Sequence, residues 1–308
     1  MRPRNPEGIA VVIPAYRSER FLPAAVESVL SQTLLPEEVI VVDDGSPEPV
    51  APLLAEYGER VRVLRQANAG PGAARNTGIG EASSPLIAFL DADDLWEPEK
   101  LEAQAALLAE RPELGAVCGD AWLLREGHVL ERKWGSLAER GAPDLSFEGL
   151  LLANPISTLT VMARRELLLR AGLFDEDRKL IAVEDYDLWL RLAELAPIGW
   201  IDAPLARYRV HASSLSSAET FLRGVTLVLE KLRRRHPEPR RLAAALRLRE
   251  AELWQDEAWS RLEQGQLAQA APALLEALAR RPASKKVWKL LLRLLWQGAT
   301  RAGRRSIP

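Results

Sequence analysis

Four short apolar runs open the chain, and each stops at a polar or turn-forming cluster. They are Ile9–Ile13, Val39–Val42, Val61–Leu64 (interrupted by Arg62) and Leu86–Leu90. Short runs of aliphatic and β-branched residues without polar alternation predict strands buried on both faces. Between them the apolar spacing changes to a helical period over Phe21–Gln32, Pro49–Tyr57 and Gly72–Ala82. Strand and helix alternating in this order predict an α/β fold: a Rossmann-like, doubly wound, mostly parallel sheet with right-handed crossovers. Sheets of this kind bind ligands at the carboxyl ends of their strands. Those ends carry Pro14-Ala15-Tyr16, Asp43-Asp44-Gly45-Ser46, Asn68-Ala69-Gly70-Pro71-Gly72 and Asp91-Ala92-Asp93-Asp94. All four clusters fall on one edge, which is where a site is expected.

Further along, Pro98–Glu110 predicts a helix, and residues ~115 to ~133 predict strands around the Glu126-Gly127 turn. Leu159–Ala163 predicts a strand followed by a helix from Arg165. Val183–Ala193 predicts an amphipathic helix opened by Glu184 and Asp185, and Ile198–Ile201 and Leu205–Val210 predict strands. From about Glu219 the pattern is helical, with breaks at Pro237–Pro239 and Pro282. In the last helix Val287, Leu290, Leu291, Leu294 and Leu295 share one face, and Lys286, Lys289, Arg293 and Gln297 another. With Trp288 and Trp296, this reads either as an interfacial amphipathic helix or as a final helix docked on its neighbours.

Composition narrows the picture. The 308 residues, 47% apolar and 27% charged, are ordinary for a globular protein with a large domain and a smaller module. A net charge of −2 gives no global field for nucleic acid. The charge is uneven: residues 231–308 hold 18 Lys+Arg against 7 Asp+Glu, and the preceding residues carry a net −13. One cysteine, Cys118, excludes an intrachain disulfide and a thiolate metal cage. The first apolar run is too short for a signal peptide and no run of about 18 apolar residues follows, so a cytoplasmic location is expected.

Chemistry concentrates at Asp91-Ala92-Asp93. In an extended segment Asp91 and Asp93 share a face and Ala92 points away. Paired carboxylates repel unless a cation sits with them, and their hard oxygens suit Mg²⁺ or Mn²⁺. A solvated acidic turn is the plain alternative. A haloacid-dehalogenase-like phosphatase is another, although that pattern wants Thr or Val where Leu95 stands, and wants it on the first strand.

The stretches "VVIPAYRSERFLPAAVESVLSQTLLPEEVIVVDDGS", "NAGPGAARNTGI", "IAFLDADDLW", "AGLFDEDRKLIAVEDYDLWLRLA" and "YRVHASSLS" together resemble a family-2 glycosyltransferase of the GT-A fold, over roughly residues 8 to 217. Arg17 departs from that pattern, standing where Asn often follows the Tyr. The resemblance implies a catalytic domain over residues 1–217, with a nucleotide-sugar half at about 8–97 and an acceptor half at about 98–217. A helical extension over 218–308 would follow. Within the extension, "LEQGQLAQAAPALLEALARRP" resembles one tetratricopeptide unit.

The activity implied is inverting, metal-dependent transfer from a nucleoside-diphosphate sugar, a UDP-sugar favoured. The acceptor would be a saccharide or lipid-linked hydroxyl in cell-envelope or exported polysaccharide synthesis, with possible peripheral membrane contact. Carried over by residue, Pro14, Ala15 and Tyr16 would border the base. Asp43 would accept from base or ribose, or alternatively cap the next helix. Arg75 would reach the base or phosphates, or simply form a salt bridge. Asp91, with Ala92, would lie by the ribose. Asp93 would hold Mn²⁺ or Mg²⁺, with His211 completing the metal shell or touching a phosphate. Asp185 would be the general base, although acidic residues also favour helix N-termini for dipole reasons. Glu184 and Trp189 would serve the acceptor or its loop, and Asn154 and Asp175–Val183 would border it. Trp122, Trp134 and Trp189 are available for stacking a sugar, or equally for the core. A non-catalytic nucleotide- or glycan-binding scaffold is the non-enzyme rival.

Overall fold

In the computed structural model, which describes residues 8–132, 144–210, 218–236 and 242–305, the four apolar runs are four parallel strands. They are β1 (Ile9–Ala15), β2 (Glu38–Asp43), β3 (Arg62–Arg65) and β4 (Leu86–Phe89), paired in the order β3-β2-β1-β4. The register sets Ala15 beside Asp43, Asp43 beside Arg65 and Val12 beside Phe89. The polar clusters therefore do share one edge. Helices α1 (Leu22–Leu30) and α2 (Pro71–Glu81) make two of the connections. The expected helix at Pro49–Tyr57 is instead a 3-10 stretch over Ala51–Arg60, with Pro52 at its start and Gly58 at φ 55 interrupting it. Proline removes a backbone donor, and a left-handed residue ends a right-handed turn.

Both faces of this sheet are covered. On one face Val11 and Ile13 pack with Leu22, Val26 and Val29 of α1 and with Leu101 and Leu108 of α3 (Lys100–Glu110). On the other, Gly78 of α2 lies directly on Val12, where a Cβ would overlap the valine side chain. Phe89, in register with Val12, meets the rings of Phe174 at 5.5 Å and Trp189 at 6.1 Å.

The second half of the sheet is mixed. It comprises β5 (Leu95–Trp96), β6 (Ala116–Arg125), β7 (His128–Arg132), β8 (Asp144–Leu145), β9 (Met162–Arg164) and β10 (Ile198–Arg209). The order continues β4-β9-β6-β10-β5, and β9 runs antiparallel to both of its neighbours. The two strands expected at Ile198–Ile201 and Leu205–Val210 are one strand. Its register shifts around Pro204, which has no N–H for the ladder. The strand expected at Leu159–Ala163 starts late, because Thr158–Thr160 form a single 3-10 turn. Around it lie α4 (Phe147–Leu152), α5 (Arg165–Arg170) and α6 (Glu184–Ala193).

The chain divides into two compact units, residues 1–150 with 154–215, and residues 151–153 with 216–308. The second contains α7 (Ala218–Arg235), α8 (Ala243–Glu263), α9 (Leu267–Arg280) and α10 (Lys285–Arg305). Its core joins Ala258, Leu274, Ala277 and Val287, with Leu290, Leu291 and Leu294 packed against them. The face of the last helix formed by Val287, Leu290, Leu291 and Leu294 therefore packs on its neighbours, as the docked reading expects. Leu295 does not share it and is 62% exposed. Among the described residues no helix is long and apolar enough to cross a membrane.

Candidate active site

The strand-end loops are held by two buried aspartates. Asp43 is 1% exposed. Its carboxylate accepts from the N–H of Ser46 at 2.9 Å and of Val50 at 3.3 Å, and from Arg65 Nη1 at 2.7 Å. Burial and this donor set make Asp43 the anchor of its own loop. Asp44 binds the neighbouring loop: it accepts from Gln66 Nε2 at 2.8 Å and from the N–H of Ala69 at 2.9 Å and Gly70 at 2.8 Å. Gly45, at φ 73, allows this approach, since a Cβ there would meet the Asn68 nitrogen at 2.8 Å.

Pro14 and Ala15 end β1 at this edge, and the Tyr16 ring is 46% exposed with the Arg17 guanidinium 5.4 Å from its centre. Arg17 has φ 50, and its N–H donates to Ser46 Oγ at 3.2 Å. Asparagine tolerates that left-handed conformation better than arginine. Arg17→Asn is therefore expected to stabilise the protein by up to about 1 kcal/mol, measured as a higher urea midpoint at unchanged m-value.

Asp91–Asp94 form a turn closed by Asp94 N–H to Asp91 O at 3.1 Å. The expected extended alternation is thus replaced by a turn, although Ala92 is buried and Asp91 and Asp93 are half-buried. Asp94 is 3% exposed and accepts from the Arg209 N–H at 2.6 Å, while Arg209 Nε donates to Asp93 O at 2.6 Å. The third carboxylate fastens the acidic turn to β10. Behind it, Trp96 donates to Leu159 O at 2.7 Å and Gln104 donates to Thr160 O at 2.7 Å. These bonds hold the 3-10 turn that carries Thr158.

Arg75 joins the two halves. Its guanidinium donates to Asp91 Oδ1 at 2.6 Å through Nη2 and to Glu184 Oε1 at 2.8 Å through Nη1, over the Phe174 ring at 5.3 Å. Burial opposes its charge, but Asp91 and Glu184 outweigh this and hold its pKa above the usual arginine value. Both Nη arms are committed inside the protein. Glu184, at 5% exposure, is a buried ion partner of Arg75.

Asp185 sits one residue on, half-buried. Thr158 Oγ1 donates to its Oδ2 at 2.9 Å, and the Tyr186 N–H donates to its Oδ1 at 2.7 Å. Burial and then the neighbouring Glu184 charge raise its pKa to about 6, against the pull of Thr158, Arg75 and the Tyr186 N–H. Just before this pair Ala182 has φ 78, a non-glycine residue in the left-handed region beside the site.

Tyr208, at the end of β10, went unassigned in the sequence although it opens the "YRVHASSLS" stretch. Burial and then Asp94, Asp91, Asp93 and Asp185 push its phenol up to about 12. The contact that links the acidic turn to the start of α6 is Arg75, bonded to Asp91 on one side and to Glu184, next to Asp185, on the other. Thr158 carried no signal in the sequence. Trp189 is a correction: it is fully buried against Phe89 and Phe174, so its ring cannot stack a sugar. The loop Phe174–Glu176 is tied to α2 through Asn76, which donates to Phe174 O at 2.8 Å and Glu176 Oε1 at 2.9 Å. His211 and Trp134 lie outside the described residues.

The sequence profile of Glycosyl transferase family 2 matches residues 10–155. Over 214 residues the chain is 30% identical to the Escherichia coli UDP-Glc:alpha-D-GlcNAc-diphosphoundecaprenol beta-1,3-glucosyltransferase WfgD, covering 68% of this chain and 79% of that protein. The chain belongs to glycosyl transferase family 2. A further relative, an uncharacterized glycosyltransferase of Rickettsia felis, is 31% identical over 66% of this chain and 33% of its own length. The chain spans 29% to 66% of the length of the rickettsial relatives it matches. The crystal structure of Staphylococcus aureus TarS 1–349 in complex with UDP-GlcNAc has the same fold, with a TM-score of 0.65 at 21% identity over 95% of this chain and 87% of that one. Family 2 membership leaves the phosphatase reading without support. The profile match includes Tyr16, Asp43, Arg75, Asp91 and Asp93 and stops before Glu184, Asp185 and Tyr208.

Proposed function

We propose that the chain is an inverting glycosyltransferase. It moves a sugar from a nucleoside-diphosphate sugar, a UDP-sugar favoured, to a hydroxyl of a saccharide or lipid-linked acceptor of the cell envelope. The observation that carries this reading is the Arg75 bridge, which ties Asp91 of the acidic turn to Glu184, the residue beside Asp185. Asp185 itself is half-buried, with its pKa raised to about 6 by burial and the Glu184 charge. A general base works best with a pKa near the operating pH, and burial with the Glu184 charge raises that of Asp185 toward neutrality. Its part is to take the acceptor hydroxyl's proton as the bond to the sugar forms. Thr158 and the Tyr186 N–H keep the carboxylate oriented for that step. Pro14, Ala15 and Tyr16 form the donor-base border in this reading, and Asp91 lies by the ribose.

Asp93 is the proposed protein ligand for Mn²⁺ or Mg²⁺, with His211 as a second. The donor chemistry suits a hard cation, since Asp93 offers a half-buried carboxylate in an acidic turn. Among the described residues no three His, Cys, Asp or Glu side chains form a metal cage. When bound, the cation would stabilise the charge on the departing nucleoside diphosphate. The cytoplasmic face of the membrane is the proposed working place, with contact through the C-terminal helix.

The test is calorimetry of UDP binding with and without Mn²⁺, and then with the Asp93→Asn protein. Outer-shell partners of a metal ligand are alone worth about 10–100-fold in metal affinity. Loss of the ligand itself should therefore cost at least about tenfold in Mn²⁺-dependent UDP affinity, with unchanged thermal unfolding of the unliganded protein. Equal affinity in the variant would remove Asp93 from the metal site, and no UDP binding by the parent chain would overturn the donor assignment.

A further inference from the structure

We propose that the outward face of α10 docks on an anionic lipid surface. The face is a stripe of Trp288, Leu292, Leu295 and Trp296, spaced i, i+4, i+7 and i+8 and so aligned along one side of the helix. Their exposures are 50%, 66%, 62% and 67%. The inward side is separately filled by Val287, Leu290, Leu291 and Leu294 against α8 and α9. The helix is thus apolar on two sides, and its own unit uses one of them.

Charge decides the occupant. Lys285 and Lys289 are exposed beside the stripe. Over its length the sequence of α10 holds seven Lys and Arg and no Asp or Glu. A helix with one sign of charge along an apolar stripe complements an anionic interface, where basic side chains meet headgroups and apolar ones enter the acyl boundary. The geometry of Trp288 suits that depth. Its indole N–H already donates to Pro282 O at 2.8 Å, so the ring enters the boundary without leaving a donor unpaired. This inference deepens the membrane part of the reading above. It stands apart from the transfer chemistry, because vesicle binding needs neither donor nor acceptor.

The experiment is co-sedimentation of the full chain with phosphatidylcholine vesicles and with vesicles containing about a quarter phosphatidylglycerol. The expected result is binding to the anionic vesicles alone, weakened by added salt. Two double variants separate the components: Leu292→Gln with Leu295→Gln removes apolar area, and Lys285→Glu with Lys289→Glu reverses charge. Each should lower partitioning by about tenfold or more, with unchanged circular dichroism, since all four residues are exposed. Equal binding to neutral vesicles, or parent-like binding by both variants, would overturn the proposal. So would absence of vesicle binding combined with concentration-dependent self-association that Leu292→Gln with Leu295→Gln abolishes, which would assign the stripe to a second copy of the chain.

Discussion

Asp185→Asn keeps its fold and its affinity for UDP and loses transfer by about 10²–10⁴-fold, the usual worth of a positioned general base. The amide keeps an oxygen to accept from Thr158 Oγ1, so the local hydrogen bond survives while the proton acceptor does not. The pH profile gives a second readout. A base acts when deprotonated, so kcat/KM of the parent enzyme should fall on the acid side around the raised pKa of about 6, not near the ordinary aspartate value. The residual activity of the variant should lack that limb. Single-turnover transfer and UDP titration, run on both proteins across pH 5 to 8 (roughly the range that brackets the limb), check the two parts together. Near-parental turnover in Asp185→Asn would assign the base elsewhere.

Arg75→Met should be the most destabilising substitution at the site, by about 3–5 kcal/mol, because it strips the common partner from two carboxylates. The Arg75 side chain is 6% exposed, Glu184 is 7% and Asp91 is 27%, so water screens Glu184 least. Methionine has comparable length and packs on Phe174, which separates loss of charge from loss of volume. Urea denaturation at pH 8 measures the effect. Near-equal stability of variant and parent at pH 8 would mean that the bridge does not hold the two halves together. Arg75 also lowers the proton affinity of Asp185 in the folded protein. Any surviving activity in Arg75→Met should therefore show its acid limb displaced to higher pH.

The pattern of apolar runs determined much of the molecule by itself. Strands β1 to β4 need aliphatic residues on both sides, and a sheet covered by helices on both faces leaves no polar alternation to confuse the reading. Because the four strands are parallel, their ends necessarily meet on one edge, and the acidic, glycine-rich and proline-containing clusters came with them. The five ordered motifs also carried the family. The break at Pro282, between α9 and α10, was equally legible, since a missing donor and a fixed φ act locally, whereas Pro237–Pro239 lie outside the described residues.

What the sequence could not determine was partnership. Arg75 and Glu184 lie 109 positions apart and Thr158 and Asp185 lie 27 apart. Periodicity reports only whether a position faces apolar surroundings, not which distant group shares its pocket. Asp43, Glu184 and Trp189 took their expected roles from the resemblance, and the structure shows all three side chains buried, Asp43 and Glu184 on protein partners and Trp189 between Phe89 and Phe174. The same limit applied to α10, where two apolar faces merge in one dense hydrophobic pattern. Only the docking of α8 and α9 against Val287, Leu290, Leu291 and Leu294 decided which face was used and which was left outward. Local propensity is written residue by residue along the chain. The selection among chemically equivalent carboxylates and equivalent helix faces comes from the three-dimensional surroundings, where burial and the nearest charge differ from one to the next.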